Sequence, residues 1–317
     1  MKVGYFLSCE EYPPHELLRQ AGLAESAGFE GLWISDHFHP WTSEQGQSPF
    51  VWSVIGALSQ VTSQPVTTAV TCPTIRIHPA NVAQAAATSS VLLGGRFTLG
   101  VGTGEALNEH ILGDPWPPVG VRLEMLEEAV EVIRLLHQGG QKSHYGKHYR
   151  VENAQLYTLP ESPTPIYVSA FGNRAAAVAG RIGDGFVTGM PDPEILRVFR
   201  ESGGAGKPAH AGVKVCWARS EAEGVETARR LWGNEQLPGQ LGQELALPAH
   251  FEQANQLVTS DMVAKAVPCG PDPQRHAEAL QAYADAGYDH VYVHQIGGEH
   301  EAFFDFYTNE VLPRVRG

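Results

Sequence analysis

Short apolar runs that alternate with longer amphipathic stretches are the feature that most constrains the fold of this chain. The runs read as buried parallel strands, and they occupy residues 3–7, 31–34, 66–70, 97–101, 166–169, 185–188, 213–217 and 290–294. The stretches with helical spacing cover residues 14–27, 49–62, 79–93, 121–137, 174–182, 193–201, 220–232, 273–286 and 300–311. Repeated strand–helix alternation predicts a parallel sheet. Eight such units in 317 residues favour a (β/α)8 TIM barrel over an open, doubly wound sheet.

Four stretches are longer than a minimal barrel needs. They lie at about residues 37–48, 105–120, 141–160 and 231–264, and the third alternates apolar and polar residues as a hairpin does. We expect one domain over residues 1–317, with these insertions on the rim at the C-terminal ends of the strands. Gly28, Gly139 and Gly287 each follow a helical stretch and are predicted to end it in the left-handed conformation.

The composition limits the partners of the chain. Its 35 acidic and 22 basic residues give a net charge of −13, which argues against nucleic acid or an anionic membrane as the main partner. We expect no signal peptide and no membrane span, because no apolar run approaches the roughly 20 residues that a span needs. Cys9, Cys72, Cys216 and Cys269 are scattered without a CxxC pair, so we expect reduced thiols in a cytoplasmic protein.

An acid, two histidines and a tryptophan directly follow the second predicted strand. These are Asp36, His37, His39 and Trp41. A titratable imidazole beside a large aromatic at a strand end indicates proton handling next to a flat ligand. Two imidazoles could instead bind a metal ion, but the other strand ends offer few further ligands, so we predict no metal site. We expect a functional role for His37 and a structural one for His39.

A glycine-rich segment ends the fourth predicted strand. The spacing of Gly100, Gly102 and Gly104 is GxGxG rather than the GxGxxG of dinucleotide-binding folds. We expect the glycines to let a ring or a phosphate approach the backbone closely. Glu105 then lies at the mouth of the strand with Asn108 one turn further on. Either a general acid or base or a solvated rim carboxylate is expected there, and the strand end favours the first at least as much as the second.

Three further strand ends carry candidate residues. Glu10 follows the first strand as a possible site acid, and Thr71 and Cys72 follow the third, where either ligand contact or simple turn formation is expected. The helix that opens after residues 169–172 presents backbone N–H groups that suit a phosphate, with Arg174 and Arg76 as the nearest basic side chains.

Together these motifs resemble the luciferase-like flavin and deazaflavin oxidoreductases, and they are most similar to the deazaflavin (coenzyme F420)-dependent glucose-6-phosphate dehydrogenase group. The similar segments are residues 35–41, 45–50, 73–76, 100–109 and 179–186. The resemblance implies a (β/α)8 barrel, usually dimeric, with the deazaflavin ring at its C-terminal mouth. It also implies an oxidoreductase that acts on CH–OH groups.

The resemblance assigns roles position by position. His37 resembles the base that takes the proton of the substrate hydroxyl, and Glu105 resembles the acid that protonates the ring nitrogen. Trp41 and Glu10 resemble residues that shape or polarise the site. The predicted cofactor contacts are Asp36, Ala69, Val70, Cys72, Thr103, Gly104, Asn108, Ser169, Ala170, Phe171 and Gly172. The Ala69–Val70 bond corresponds to a cis peptide that supports the ring.

One departure from that group concerns the substrate. The sugar-phosphate enzymes place a lysine shortly after the sixth strand, where this chain has residues 188–192 with Asp192 near that position. A second lysine is replaced around Glu252 and Gln253. A phosphate dianion would lose charge-assisted hydrogen bonds without these cations. We therefore expect an unphosphorylated sugar or another secondary alcohol rather than glucose 6-phosphate.

The sequence thus predicts a cytoplasmic, homodimeric oxidoreductase that transfers a hydride between a small alcohol or sugar and F420. One alternative is an FMN-dependent monooxygenase of the same superfamily, since both kinds of enzyme share the barrel. Another is a non-catalytic flavin- or deazaflavin-binding protein. The presence of both His37 and Glu105 favours an enzyme, because a carrier needs neither.

Overall fold

A computed structural model describes residues 1–316, in which eight parallel strands close into a barrel. The strands of the described residues are β1 Lys2–Leu7, β2 Leu32–Ile34, β3 Val66–Thr68, β4 Phe97–Val101, β5 Lys142–Tyr145, β6 Arg150–Ala154, β7 Ile166–Ser169, β8 Gly185–Thr188, β9 Ala209–Val215 and β10 His290–Gln295. Around the barrel the order is β1-β10-β9-β8-β7-β4-β3-β2, and β5 pairs only with β6 as an antiparallel hairpin. The predicted (β/α)8 barrel and the hairpin are confirmed.

Helices connect the strands and cover the outside of the barrel. They are α1 Pro14–Ser26, α2 Val51–Leu58, α3 Pro79–Leu92, α4 Ala106–Glu109, α5 Val119–His137, α6 Asn173–Ile182, α7 Pro193–Phe199, α8 Glu221–Trp232, α9 Leu241–Glu244, α10 Pro248–Asn255, α11 Ser260–Ala266, α12 Pro273–Ala286, α13 His300–Phe306 and α14 Leu312–Arg316. Gly28, Gly139 and Gly287 have φ values of 83°, 71° and 94°, so the predicted left-handed conformation is confirmed at each. No helix of the described residues is long and apolar enough to cross a membrane.

The seventh barrel strand begins earlier than the sequence pattern predicts. It covers Ala209–Val215 instead of residues 213–217. His210 and Gly212 interrupt the apolar run. They lie two residues apart on the strand, and both face the barrel interior. There His210 packs edge-on against Tyr167, with ring centroids 5.0 Å apart. An inward position of a barrel strand does not have to be aliphatic, and for this reason the apolar pattern missed the start of the strand.

The rings of Phe6, Trp33 and Tyr292 form an aromatic plug inside the barrel, beneath the C-terminal ends of the strands. Trp33 stacks on Tyr292 with centroids 4.4 Å apart, and Phe6 meets the ring of Trp33 edge-on at 5.9 Å. Gly212 makes room for this plug, because a Cβ there would lie 2.9 Å from the ring of Trp33. The plug closes the interior beneath the C-terminal mouth, so the mouth has a solid floor instead of opening into a pore.

Gly100 in β4 and Gly102 just after it make room for residues 68 and 70. A Cβ on Gly100 would lie 1.9 Å from the carbonyl oxygen of Thr68, and a Cβ on Gly102 would lie 2.8 Å from Val70 Cγ2. Thr68 Oγ1 also bonds the backbone N–H and carbonyl of Gly100. The expectation that a ring or a phosphate approaches these two glycines is wrong, because protein atoms already occupy the space that they leave.

Candidate active site

A carboxylate and an imidazole meet at the C-terminal ends of β1 and β2. His37 Nε2 lies 3.4 Å from Glu10 Oε1, and Glu10 Oε2 accepts hydrogen bonds from Ser35 Oγ at 2.5 Å and Ser8 Oγ at 2.9 Å. Burial alone would raise the pKa of the Glu10 carboxyl. The charge of His37 and the bonds from the two serines outweigh burial and hold that pKa below its usual value. Glu10 therefore stays ionised beside the imidazole.

The other ring nitrogen of His37 has a partner for each protonation state. His37 Nδ1 lies 2.9 Å from Asn108 Nδ2 and 3.2 Å from the carbonyl oxygen of His39. Asn108 Oδ1 accepts from the backbone N–H groups of Phe38 and His39, which fixes its amide with Nδ2 toward the ring. A bare Nδ1 can accept from Asn108, and a protonated Nδ1 can donate to His39. With Glu10 at Nε2, both ring nitrogens of His37 have a polar partner.

The two remaining predicted residues of this loop differ in their surroundings. The ring of Trp41 lies 5.0 Å from that of His37, centroid to centroid, and packs edge-on against Phe251 at 5.2 Å. The indole therefore borders the imidazole. His39 Nδ1 instead bonds the carbonyl oxygen of Leu107 at 3.0 Å, and this contact fits the structural role expected for His39.

The carboxylate of Asp36 is hydrogen-bonded to two neighbouring side chains on the rim. Its carboxylate accepts from Thr71 Oγ1 at 2.8 Å and from Arg76 Nη2 at 2.9 Å. The guanidinium of Arg76 also faces Glu109, with Nε 3.7 Å from Oε1, while its backbone N–H donates to Glu109 Oε2 at 2.8 Å. The guanidinium is therefore paired with Asp36 and faces Glu109, so it is not free to bind a phosphate.

Glu109 is a buried acid that the sequence reasoning did not single out. Its side chain is about 1% exposed, and Oε1 has no hydrogen-bond partner. Burial raises the pKa of this carboxyl to about 7, although the N–H and the charge of Arg76 oppose the shift. A buried carboxyl that titrates near neutral pH is common at functional sites.

Glu105 lies in the loop between β4 and α4, next to the residues predicted to contact the cofactor. Burial and then the charge of Glu105 raise the pKa of the Cys72 thiol well above its usual value. Gly104 has a φ of +82°, and a Cβ there would lie 3.4 Å from Cys72 Cβ. Thr103, just before Gly104, is half-buried. The one-turn helix α4 then carries Asn108 to His37, and it links the acid to the imidazole.

The side chains of Ala69 and Val70 form an apolar surface on top of the aromatic plug, which we call the apolar floor. The Ala69–Val70 peptide bond is cis, as the resemblance implied, and both side chains remain partly exposed inside the barrel. They pack on the aromatic plug together with the partly exposed rings of Phe6 and Tyr167. Apolar surface left open inside a barrel, with polar groups around it, is typical of a site for a flat ligand.

Residues 169–172 form the next part of the rim. Ser169 is half-buried and Ala170 is buried, whereas Phe171 is 56% exposed and Gly172 precedes α6. A Cβ on Gly189 would lie 3.2 Å from the ring of Phe171, so the end of β8 borders this loop.

A second carboxylate–histidine pair lies on the other flank of β1, toward β10, and the sequence reasoning missed it. Glu11 Oε1 accepts from His294 Nε2 at 2.8 Å and from Trp232 Nε1 at 2.5 Å. Lys214 Nζ lies 4.4 Å from the centre of the Trp232 ring and 2.9 Å from Glu235 Oε1. Only Glu11 could have been found from the sequence, as the neighbour of a predicted site acid.

The positions where the sugar-phosphate enzymes carry lysine hold structural acids here. Asp192 caps α7 by accepting from the N–H groups of Glu194 and Ile195. Glu252 accepts from the N–H of Ser43 at 2.9 Å. Neither position contributes a cation to the mouth. Among the described residues, no group of three or more His, Cys, Asp or Glu side chains could hold a metal ion.

The chain is similar to known proteins over its whole length. It is 33% identical over 329 residues to the F420-dependent glucose-6-phosphate dehydrogenase of Beutenbergia cavernae, an alignment that covers 100% of this chain and 98% of that protein. Identity to the enzyme of the same name from Microbacterium testaceum is 34%, with the same coverage.

Solved structures show the same barrel. An F420-dependent secondary alcohol dehydrogenase in complex with an F420-acetone adduct superimposes with a TM-score of 0.93 at 30% identity, covering 100% of this chain and 99% of that one. The coenzyme F420-dependent tetrahydromethanopterin reductase of Methanopyrus kandleri, with a TM-score of 0.79 at 20% identity, shares the fold. The profile of the luciferase-like monooxygenase family matches residues 1–290. The chain therefore belongs to the luciferase-like monooxygenase family.

Proposed function

We propose that this protein is an F420-dependent oxidoreductase that oxidises an uncharged secondary alcohol or sugar. The observation that carries the proposal is the Glu10–His37 pair beside an open apolar floor, with Glu105 at the end of β4, two strands from β2. The relatives named for F420-dependent dehydrogenation support it, because they match the chain from end to end.

The mouth suits a flat heterocycle. The partly exposed Ala69 and Val70 offer a face for a ring, and polar groups line its edges. The residues that would hold the cofactor are Asp36, Ala69, Val70, Cys72, Thr103, Gly104, Asn108, Ser169, Ala170, Phe171 and Gly172. Bound F420 would supply the hydride acceptor of the reaction. FMN is the second candidate, favoured by the family to which the chain belongs.

His37 takes the role of the general base. A substrate hydroxyl that donates to its imidazole loses its proton there as the carbon-bound hydrogen leaves, and the Glu10 carboxylate and the backbone carbonyl of His39 stabilise the resulting cation. Trp41 confines the substrate beside the ring of His37. Glu105 holds a proton near the edge of the apolar floor and delivers it where the reduction places negative charge.

The substrate carries no phosphate group. Two basic side chains of this mouth, Arg76 and Lys214, are already paired with carboxylates. A phosphate dianion would have to break such a pair before it gained a charge-assisted hydrogen bond.

We propose a homodimer in the cytoplasm. The four cysteines are buried and free, as expected in a reducing compartment. Large apolar side chains at the ends of the adjacent helices α2 and α3, such as Val61, Val91 and Leu92, are between 44% and 47% exposed and offer apolar area to a second copy.

The test is anaerobic reduction of F420 by a panel of secondary alcohols and uncharged sugars, followed by absorbance. We expect at least one member to reduce F420, and glucose 6-phosphate to be a poor substrate. A protein that reduces no F420 with any member, yet consumes oxygen with reduced FMN, would be a monooxygenase instead.

A further inference from the structure

Lys214 points into the barrel at the floor of the mouth. On the same strand, the position of Gly212 faces the ring of Trp33, and residues two apart on a strand share a face. Lys214 is also directly paired in register with His294 of β10, whose ring lies against Phe6. The lysine therefore faces the same interior as the aromatic plug, and its side chain is 22% exposed.

The ammonium group of Lys214 is held in place from two sides. Glu235 Oε1 accepts from Nζ at 2.9 Å, and the Trp232 ring lies beneath Nζ at 4.4 Å. The Trp232 ring is in turn fixed by the bond from its Nε1 to Glu11. One carboxylate and one ring leave part of the ammonium group, which has three donors, open to the mouth.

A buried polar atom on the residue in register with Lys214 has no partner. His294 Nδ1 belongs to a side chain with no exposed surface. Buried donors and acceptors are nearly always paired, so an unpaired acceptor beside an ammonium group is suited to a ligand hydroxyl, which can both donate and accept.

We propose that Lys214, with Glu235, binds a second hydroxyl group of an uncharged polyhydroxylated substrate, and that Glu235 is the residue that disfavours phosphorylated sugars. This inference rests on the proposed function, since it assigns the part of the substrate that lies away from His37. The ion pair is neutral as a whole, so it can donate to and accept from a hydroxyl, whereas an anion meets the carboxylate of Glu235.

Two substitutions separate the parts of the subsite. Lys214→Met keeps most of the side-chain length but removes the donors, and Glu235→Gln leaves the lysine cation uncompensated. The probes are glucose, cyclohexanol and glucose 6-phosphate. Their binding to the cofactor-free protein is measured by ligand-observed NMR, and their oxidation is measured with F420. Lys142→Met, on the exposed hairpin, is the matched control, and thermal unfolding verifies that each variant is folded.

We expect Lys214→Met to weaken glucose binding and to lower its kcat/KM by about tenfold or more, with cyclohexanol changed less than about twofold. Glu235→Gln should improve glucose 6-phosphate binding by about tenfold, and the double variant should lose that gain. Equal losses for glucose and cyclohexanol in Lys214→Met, or no gain for the phosphate in Glu235→Gln, would overturn the subsite.

The proposed function can fail separately from this inference. Selective glucose binding that depends on Lys214, without turnover of any alcohol or sugar, would contradict the dehydrogenase and support the subsite. Turnover of cyclohexanol and glucose that does not respond to Lys214→Met would support the dehydrogenase and contradict the subsite.

Discussion

Glu10 and Glu11 are adjacent in the chain, and each pairs with a histidine, but the two pairs have different surroundings. His37 is 10% exposed and lies 3.4 Å from Glu10, whereas His294 is wholly buried and lies 2.8 Å from Glu11. Besides His294, Glu11 accepts from Trp232 Nε1, the N–H of Gly297 and the hydroxyl of Tyr12. Donors therefore approach both oxygens of Glu11.

The difference shows how the same two residue types serve two purposes. The Glu10–His37 pair borders the open mouth, and the imidazole has partners for more than one protonation state. A group that must gain and lose a proton needs such freedom. The Glu11–His294 pair is closed, and it fixes the Trp232 ring beneath Lys214. We infer that the first pair performs chemistry and the second positions the wall of the site.

The comparison predicts its largest effect at His37. Replacing His37 with alanine removes the base, so we expect kcat to fall by about 10³-fold while the dissociation constant of F420 changes little. Steady-state kinetics and a binding titration measure the two quantities. His39→Ala is the control, because His39 contacts only the backbone of Leu107 through its ring nitrogen and should stay within about tenfold of the parent. Equal losses in the two variants would contradict the assignment.

The two glutamates should respond differently to the same substitution. In Glu11→Gln the new NH2 group would face the N–H donors that now bond one of the carboxylate oxygens. The free energy of unfolding should therefore fall by about 3 kcal/mol. In Glu10→Gln the amide oxygen can still accept from Ser8 and Ser35, but no charge remains to stabilise a protonated His37.

We therefore expect Glu10→Gln to lose turnover with little loss of stability, and Glu11→Gln to lose stability first. Urea denaturation and kcat measured on the same preparations separate the two. If Glu10→Gln were the less stable variant and the more active one, the roles of the two pairs would have to be exchanged.

Glu109 adds a third carboxyl to the comparison, and burial favours its protonated form. Its pKa in the folded protein is about 7, above its ordinary value of 4.5. The folded state thus binds more protons between these values, and its stability falls as pH rises through the window. From about pH 5 to about pH 7.5 the loss amounts to about 2 kcal/mol.

Glu109→Gln cannot titrate, so its stability should lack this part of the decline. Urea denaturation of both proteins across the window measures the difference between them. Parallel curves for the two proteins would show that Glu109 is ionised throughout.

The sequence predicts the barrel well because its outer face must be apolar along every strand. The pattern placed Phe97–Val101 and Ile166–Ser169 without error. It failed on Ala209–Val215, where inward residues such as His210 and Lys214 are polar. Lys214, which the sequence analysis missed, lies on that strand. It points into the barrel because of the register of β9 with its neighbours, and no local sequence pattern reveals that register.

The residues around His37 were easier to predict, because they are close together in the chain and in space. Asp36, His37 and Trp41 follow one short strand, and each lies on the rim as the motif indicates. Glu109 escaped notice because α4 is a single turn, too short for a periodic pattern. The role of Gly100 was also misjudged, because the atom that occupies its empty space comes from Thr68 on another strand.

The most direct test of the account is a fluorescence-quenching titration of the cofactor-free protein with F420 and, separately, with FMN. The account predicts that F420 binds, and that FMN binds at least about 100-fold more weakly, a difference of roughly 3 kcal/mol. Tighter binding of FMN, or no binding of either compound, would contradict a deazaflavin site between His37 and Glu105.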